Sequence, residues 1–211
     1  MIITESKPLA ELIPLLEGKS AILIIGCNVC AAKMHTGGEP EIEALTSALT
    51  KRGFNVIGSI LPTAACSVRS FEALAEKNER IKEADCILVM ACGSGISVIA
   101  DVVSVPVFGT TNTVSLGGRL GGATLNYLCS MCGQCNVGSF GGICPKTGCP
   151  KSQMNGPCGG SSGGKCEVDP ERECVWNMIE KKLEETGRLE DLETIAPPRD
   201  YRFSKNRTGG L

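Results

Sequence analysis

The segment from residue 126 to 169 constrains this chain more than any other. It shows no hydrophobic period of helix or strand, yet it holds seven cysteines, at 129, 132, 135, 144, 149, 158 and 166. Glycine is dense there, with Gly141, Gly142, Gly159, Gly160, Gly163 and Gly164. Such a stretch cannot bury enough apolar surface to offset its ordering entropy unless covalent or metal links hold it. Cys174 follows just after, and the whole chain has 13 cysteines in 211 residues. Disulfides, zinc, iron–sulfur clusters and redox catalysis are the uses open to so many thiols, and each asks for its own compartment and spacing.

The N-terminal "MIITESKPLAELIPLLEGKSAILIIGC" lacks a basic start, an apolar run and a small-residue cleavage site, and no apolar run approaches the ~18 residues of a membrane span. The expectation is a cytoplasmic protein, whose thiols are kept reduced. That favours metal ligation over disulfides and leaves the "NRT" sequon at Asn206 without meaning. Net charge is −2, and no basic stripe of the kind nucleic-acid binders carry is present.

Residues 20–109 alternate between strand and helix patterns. "AILIIG" (21–26), "FNVIGSI" (54–60), "CILVMA" (86–91) and "VPVFGT" (105–110) have the length and apolarity of buried strands, with Pro106 marking an edge or a strand start. Between them, 41–53 places Ile42, Leu45 and Leu49 at helical spacing before Gly53. Residues 70–84 place Phe71, Leu74 and Ile81 on one face behind Ser70 as N-cap, and 94–103 reads as a buried helix. The alternation predicts an α/β fold, a Rossmann-like open parallel sheet with right-handed crossovers. After the cysteine-rich stretch, 169–188 predicts a closing helix. Asp169 is its N-cap, Pro170 its first residue, and Val175, Trp176, Met178, Ile179 and Leu183 its apolar side.

Cys27 and Cys30 follow the first of these strands, Cys66 the second and Cys92 the third. The carboxyl ends of parallel strands share one edge, where ligands bind. The topology therefore brings four thiols together, suiting a [4Fe–4S] cluster or an all-cysteine zinc site. Cys86 begins its strand at the opposite end and reads as a core thiol. His35, the only histidine, reads as a loop residue, with a zinc site in place of Cys66 as its other use; any catalytic unit would rest on it alone.

Cys129, Cys132 and Cys135 make C-x2-C-x2-C, the start of the bacterial ferredoxin run; the C-P pair that closes such a run comes late here, at Cys144-Pro145 and again at Cys149-Pro150. With Cys158, Cys166 and Cys174 the group has eight thiols, the number two [4Fe–4S] clusters use, and structural zinc can use the same number. "GGSSGGKC" (159–166) nearly matches a phosphate loop, but Cys166 replaces the metal-binding hydroxyl and no strand precedes it. "ACGSGIS" (91–97) is a strand-to-helix turn whose glycines make room either for an anion or for a cluster at Cys92. "GGRLGG" (117–122) has no strand–helix frame.

"CSMCGQC", "GGICPKTGCPKSQMNGPCGG" and "GKCEVDPERECVW", with "PPRD" near the tail, together resemble the C-terminal domain family associated with methylenetetrahydrofolate reductase. Preceded by an α/β domain, the chain looks like the iron–sulfur small subunit of the two-subunit reductase of acetogenic bacteria. The resemblance implies a flavin-bearing (FMN or FAD) TIM-barrel large subunit as partner and an external donor protein such as ferredoxin. It implies an electron-relay role in one-carbon metabolism, with no catalytic site in this chain alone. The expected organisation is an α/β cluster-binding domain over 1–112, a cysteine-rich domain with its closing helix over 113–188, and an extended tail over 189–211. Three [4Fe–4S] clusters are expected on the twelve cysteines other than Cys86, with zinc possible at one site. A structural zinc scaffold and a nucleotide-binding α/β enzyme are the alternatives. The tail, with Arg199, Tyr201, Arg202, Phe203, Lys205 and Arg207, is expected to be disordered when free and to dock on the large subunit.

Overall fold

A computed structural model describes residues 1–119, 125–198 and 200. The chain divides into two compact units, Met1–Val114 and the part from Ser115 onward.

The first unit is built on a four-stranded parallel sheet. Four short apolar runs form it: β2 (Ile22–Ile25), β3 (Val56–Ile60), β4 (Cys86–Val89) and β5 (Val107–Gly109), in the order β3–β2–β4–β5. β2 and β4 lie in the centre, and every residue of both is buried. Because side chains alternate along a strand, Leu23, Ile25, Ile87 and Val89 face one side. There they meet Phe71 and Ile81 from α4 (Val68–Lys77) and α5 (Glu79–Glu83), and Ile99 from α6 (Gly93–Val102). Ile22, Ile24, Cys86 and Leu88 face the other side, against Leu16 and against Ile42 and Leu49 of α3 (Glu39–Thr50). Apolar helices cover both faces, which is why these strands read as continuous hydrophobic runs. Pro106 sits just before the edge strand β5, where a missing N–H costs least.

Several details differ from the sequence expectation. The N-terminal residues, for which no element was expected, form β1 (Ile2–Ser6), the short helix α1 (Leu9–Leu12) and a 3₁₀ turn over Ile13–Leu16. The helix expected over 70–84 is two helices broken at Asn78, whose backbone is extended and whose Oδ1 accepts from the Arg80 N–H. A side chain that can cap a new helix competes with continuing the old one. The N-cap of α4 is Ser67 rather than Ser70; the two hydroxyls bond each other at 2.9 Å. β6 (Thr111–Arg119) and β7 (Leu125–Cys129) pair antiparallel in a second sheet of order β1–β6–β7. Gly117 and Gly118 in β6 hid that pairing from a reading based on apolar periodicity.

In the second unit α8 (Val175–Glu185) packs on α7 (Pro145–Gly148) and on a 3₁₀ turn over Val137–Phe140. The core is small: Phe140, Cys149, Cys174, Val175, Trp176, Ile179 and Leu183, with Ile143 and Met154 against it. The closing helix begins at Val175 with Cys174 as N-cap, not at Asp169. Asp169 and Pro170 open a turn instead: Asp169 Oδ1 accepts from the Glu171 N–H and its carbonyl from the Arg172 N–H. The chain then runs extended through the Lys165–Glu173 bridge, and the Cys174 N–H donates to Gly164 at 2.8 Å, which postpones the helix.

Candidate metal centres

The four thiols of the first unit sit where the strand order reverses. β2 leads outward to β3, and the chain then crosses back to β4, so the carboxyl ends of β2 and β4 flank the crevice in which open α/β sheets bind ligands. Cys27 follows β2 and Cys30 begins the short helix α2 (Cys30–Lys33). Cys92 is the N-cap of α6, and Cys66 lies in the loop between β3 and α4. Two close packings set this geometry. A Cβ on Gly37 would lie 1.9 Å from the Met90 carbonyl oxygen, so only glycine lets this loop close over the end of β4. From there the Gly37 carbonyl accepts from the Cys27 N–H at 2.9 Å. A Cβ on Gly95 would lie 2.9 Å from that of Ala91 and 3.0 Å from that of Ala65, so α6 approaches the Cys66 loop closely. Burial, followed by the nearby sulfurs of Cys92, Cys27 and Cys30, pushes the Cys66 thiol above its ordinary value, since neighbouring thiolates resist a further negative charge.

Cys86 lies at the far end of β4 and is fully buried. Burial, with Asp85 beside it, pushes its thiol up to about 11, so it stays protonated at neutral pH. His35 has 78% of its side chain exposed and stands 3.6 Å from Glu41.

In the second unit Cys149, Cys158, Cys166 and Cys174 line one small pocket, walled also by Pro150, Glu167, Val168, Val175 and Trp176. Each is placed by local structure. Cys149 caps the C-terminus of α7, and Cys174 the N-terminus of α8. Gly163 and Gly164 take φ of +56° and +80°, and Ser162 and Lys165 exchange both backbone hydrogen bonds around them. That is the geometry of a tight hairpin turn, which glycine adopts without strain. "GGSSGGKC" is therefore a turn that lays Gly164 beside Cys174 and Cys166 beside Arg172, bringing Cys166 and Cys174 to neighbouring strands of the same ladder. The Gly160 N–H, helped by the Lys151 charge against a burial penalty, holds the Cys158 thiol below its ordinary value. Lys151 also pairs with Glu167.

The remaining four are Cys129 at the end of β7, Cys132 and Cys135 in the following loop, and Cys144 as the N-cap of α7. α7, which Cys144 caps, packs on β7, the strand that Cys129 ends. Met131 and Gly133 take φ of +52° and +79°, so the C-x2-C-x2-C loop winds tightly and the Met131 N–H points at Cys129 Sγ, 3.4 Å away. Among the described residues, no three Cys, His, Asp or Glu side chains converge on a point as the ligands of a single metal ion do. Around tetrahedral zinc, with Zn–S near 2.3 Å, the sulfurs stand roughly 3.8 Å apart. The ligands of a [4Fe–4S] cluster each take a separate iron and need no such convergence.

The described start of the tail is not free. Asn155 clasps Ala196, donating to its carbonyl at 3.1 Å and accepting its N–H at 2.8 Å, and the Asp200 N–H donates to Gln134 within the cysteine loop. Within the described part of the tail, amide side chains thus supply backbone partners at Ala196 and at Asp200. Arg199, Tyr201, Arg202, Phe203, Lys205, Asn206 and Arg207 lie outside the described residues, as does the second half of "GGRLGG", from Leu120 onward.

Against known families, the second unit decides the comparison. Residues 108–202 match the family model described as methylene-tetrahydrofolate reductase C terminal. The match covers less than half of the chain, running from the last strand of the parallel sheet through the cysteine-rich unit. No curated protein and no solved structure matches. No helix among the described residues is long and apolar enough to cross a membrane.

The grouping of Cys149, Cys158, Cys166 and Cys174 was not readable from spacing, because the chain visits the pocket from four separate turns. Trp176, on the wall of the same pocket, was read only as part of a helix face. Its position two residues after Cys174 was the available signal.

Proposed function

We propose that the chain is an electron-transfer iron–sulfur subunit that relays electrons between an external donor, such as a ferredoxin, and the flavin, FMN or FAD, of a methylenetetrahydrofolate reductase large subunit. The observation that carries the reading is the gathering of thiols into sets of four; the one carboxylate that lines the pocket of the second unit, Glu167, is paired with Lys151. Four line one pocket of the second unit. Four more stand at the carboxyl edge of the sheet, near enough for Cys92, Cys27 and Cys30 to act on Cys66. The family match over 108–202 supports the reductase as the enzyme served.

The donor chemistry fits. Cys27, Cys30, Cys66 and Cys92 would hold one cluster, Cys149, Cys158, Cys166 and Cys174 a second, and Cys129, Cys132, Cys135 and Cys144 a third. A bound [4Fe–4S] cluster supplies one-electron transfer, and potentials depend on hydrogen bonds to sulfur and on burial. The chain provides both. The Met131 N–H is aimed at Cys129 Sγ and the Gly160 N–H favours the Cys158 thiolate, while Val168, Val175 and Trp176 keep the second pocket apolar. Cys86 stays a protonated core thiol outside these sets.

Anaerobic purification with iron, sulfide and zinc quantification tests the reading. Twelve irons and twelve sulfides per chain, with broad visible absorption bleached by reductant, are expected. Stoichiometric zinc without sulfide would replace it with a structural zinc scaffold, and a tightly bound nucleotide with all four N-terminal cysteines dispensable would replace it with a nucleotide-binding enzyme.

A further inference from the structure

The second unit contains a rigid hydrogen-bond donor that nothing among the described residues satisfies. The indole Nε1 of Trp176 is buried and has no acceptor among them, and the residue is only 4% exposed. Buried tryptophan N–H groups ordinarily find a partner. The other unpartnered buried side-chain atoms among the described residues are Asp85 Oδ1 and Thr147 Oγ1. The first belongs to a carboxylate whose other oxygen is bonded twice by Ser20, and the second to a hydroxyl that can rotate. The indole has no such freedom. Its ring is held edge-on to Phe140, with centroids 5.5 Å apart and planes at 85°, and it is fixed at the start of α8 in the small core.

Trp176 lines the pocket of Cys149, Cys158, Cys166 and Cys174. We infer that the Trp176 indole N–H donates a hydrogen bond to a sulfur of the cluster those four cysteines hold, making Trp176 the residue that sets this cluster's potential. The inference rests on the iron–sulfur reading above. A donor aimed at sulfur favours the more negative, reduced state, so the bond raises the reduction potential. It also accounts for the tryptophan at this place: phenylalanine would fill the same wall and keep the contact with Phe140, but would offer no donor. The same ring also borders a neighbouring cleft formed with Met154, Asn155, Glu180, Leu192 and Ile195, where water is the competing acceptor.

Trp176 is the only tryptophan of the chain, so its indole proton can be observed without assignment. The experiment uses full-length protein, reconstituted anaerobically with iron and sulfide, labelled with ¹⁵N at the indole. Expected are an indole N–H shifted by the paramagnetic cluster and slow to exchange, and an exchangeable-proton coupling in the electron-nuclear double resonance spectrum of the reduced protein. In Trp176→Phe that coupling disappears and iron and sulfide stay unchanged. One couple out of three falls by a tenfold change in its equilibrium, about 59 mV for one electron. Unchanged potentials with full iron in Trp176→Phe, or a wild-type indole proton that exchanges rapidly and shows no coupling, overturn the role of Trp176 and leave the iron–sulfur reading standing. Wild-type protein that takes up no iron at Cys149, Cys158, Cys166 and Cys174, judged against Cys149→Ser, overturns both. Should Trp176→Phe fail to fold, the wild-type indole measurement decides alone.

Discussion

Gly37→Ala tests how the first unit sets its thiols. Gly37 has no positive φ, so alanine brings no backbone strain; the effect is collision alone. The added methyl would lie 1.9 Å from the Met90 carbonyl oxygen and 2.9 Å from its carbon, and both belong to backbone that cannot swing aside. The loop before α3 must therefore lift. Lifting it breaks the 2.9 Å bond from the Cys27 N–H to the Gly37 carbonyl. Overpacking of this kind costs about 1–3 kcal/mol and the lost hydrogen bond about 1 more, so a destabilisation of about 2–4 kcal/mol is expected. Gly53→Ala is the matched control. Gly53 has φ +85° and nothing within 4 Å of a new Cβ, so it should lose only the about 1–2 kcal/mol of left-handed strain. Urea unfolding followed by circular dichroism measures both, and iron analysis reads the site. Gly37→Ala is expected to lose the third of the iron assigned to Cys27, Cys30, Cys66 and Cys92, and Gly53→Ala none. A Gly37→Ala protein within about 0.5 kcal/mol of wild type with full iron would refute the claim that this contact sets the Cys27 loop; that margin is the usual scatter of neutral substitutions.

Cys132→Ser should remove one cluster's iron and expose residues 126–169 to limited proteolysis, while the protease resistance of the parallel-sheet unit stays unchanged. Cys86→Ser should leave metal content unchanged and cost about 1–3 kcal/mol in thermal or urea unfolding, since the hydroxyl enters a fully buried strand. The wild-type thiol adds an alkaline dependence: with its folded value raised to about 11, its contribution is intact below the ordinary thiol value of 9.0 and is lost as pH rises through 11. Cys86→Ala should flatten that loss in unfolding curves recorded across this range. Truncation after Ala196 should weaken co-purification with the flavoprotein subunit at unchanged iron; equal affinity and an equal rate from the external donor would end the docking idea for the tail.

The first unit was largely legible because its signals are local. Four apolar runs with helical patterns between them are enough to place β2, β3, β4 and β5, and the central β2 and β4 bury both faces so thoroughly that no polar residue interrupts them. The misses have equally local causes. Asn78 ends one helix by capping the next, and a side-chain cap outweighs a continuing apolar period only once the competing backbone geometry is known. β6 carries "TVSLGG", whose glycines read as a breaker, but its pairing is with sequence-distant β1 and with β7, and such non-local pairing leaves no period along the chain.

The thiol sets divide on the same principle. Cys27, Cys30, Cys66 and Cys92 could be grouped from sequence because a parallel sheet carries every strand's carboxyl end to one edge, so topology does the work that contacts do elsewhere. No such rule covers the second unit. There the chain reaches the pocket from the end of α7, the loop after Pro157, the hairpin turn at Gly163–Gly164 and the start of α8, and each approach depends on where the others stand. Two of the four pocket thiols, Cys149 and Cys174, are members of the only apolar core this unit has among its described residues. A core of that size cannot offset the ordering of the glycine-rich turns around it, so under the proposed iron–sulfur reading the same atoms that would ligate would also hold the fold. On that reading ligation and folding would be one equilibrium in the second unit and two separate ones in the first, where Ile22, Leu23, Ile24, Ile25, Ile87, Leu88 and Val89 are buried in an apolar core of their own. That difference explains why hydrophobic pattern reveals the α/β unit, whereas cysteine spacing is the principal sequence signal of the cysteine-rich one.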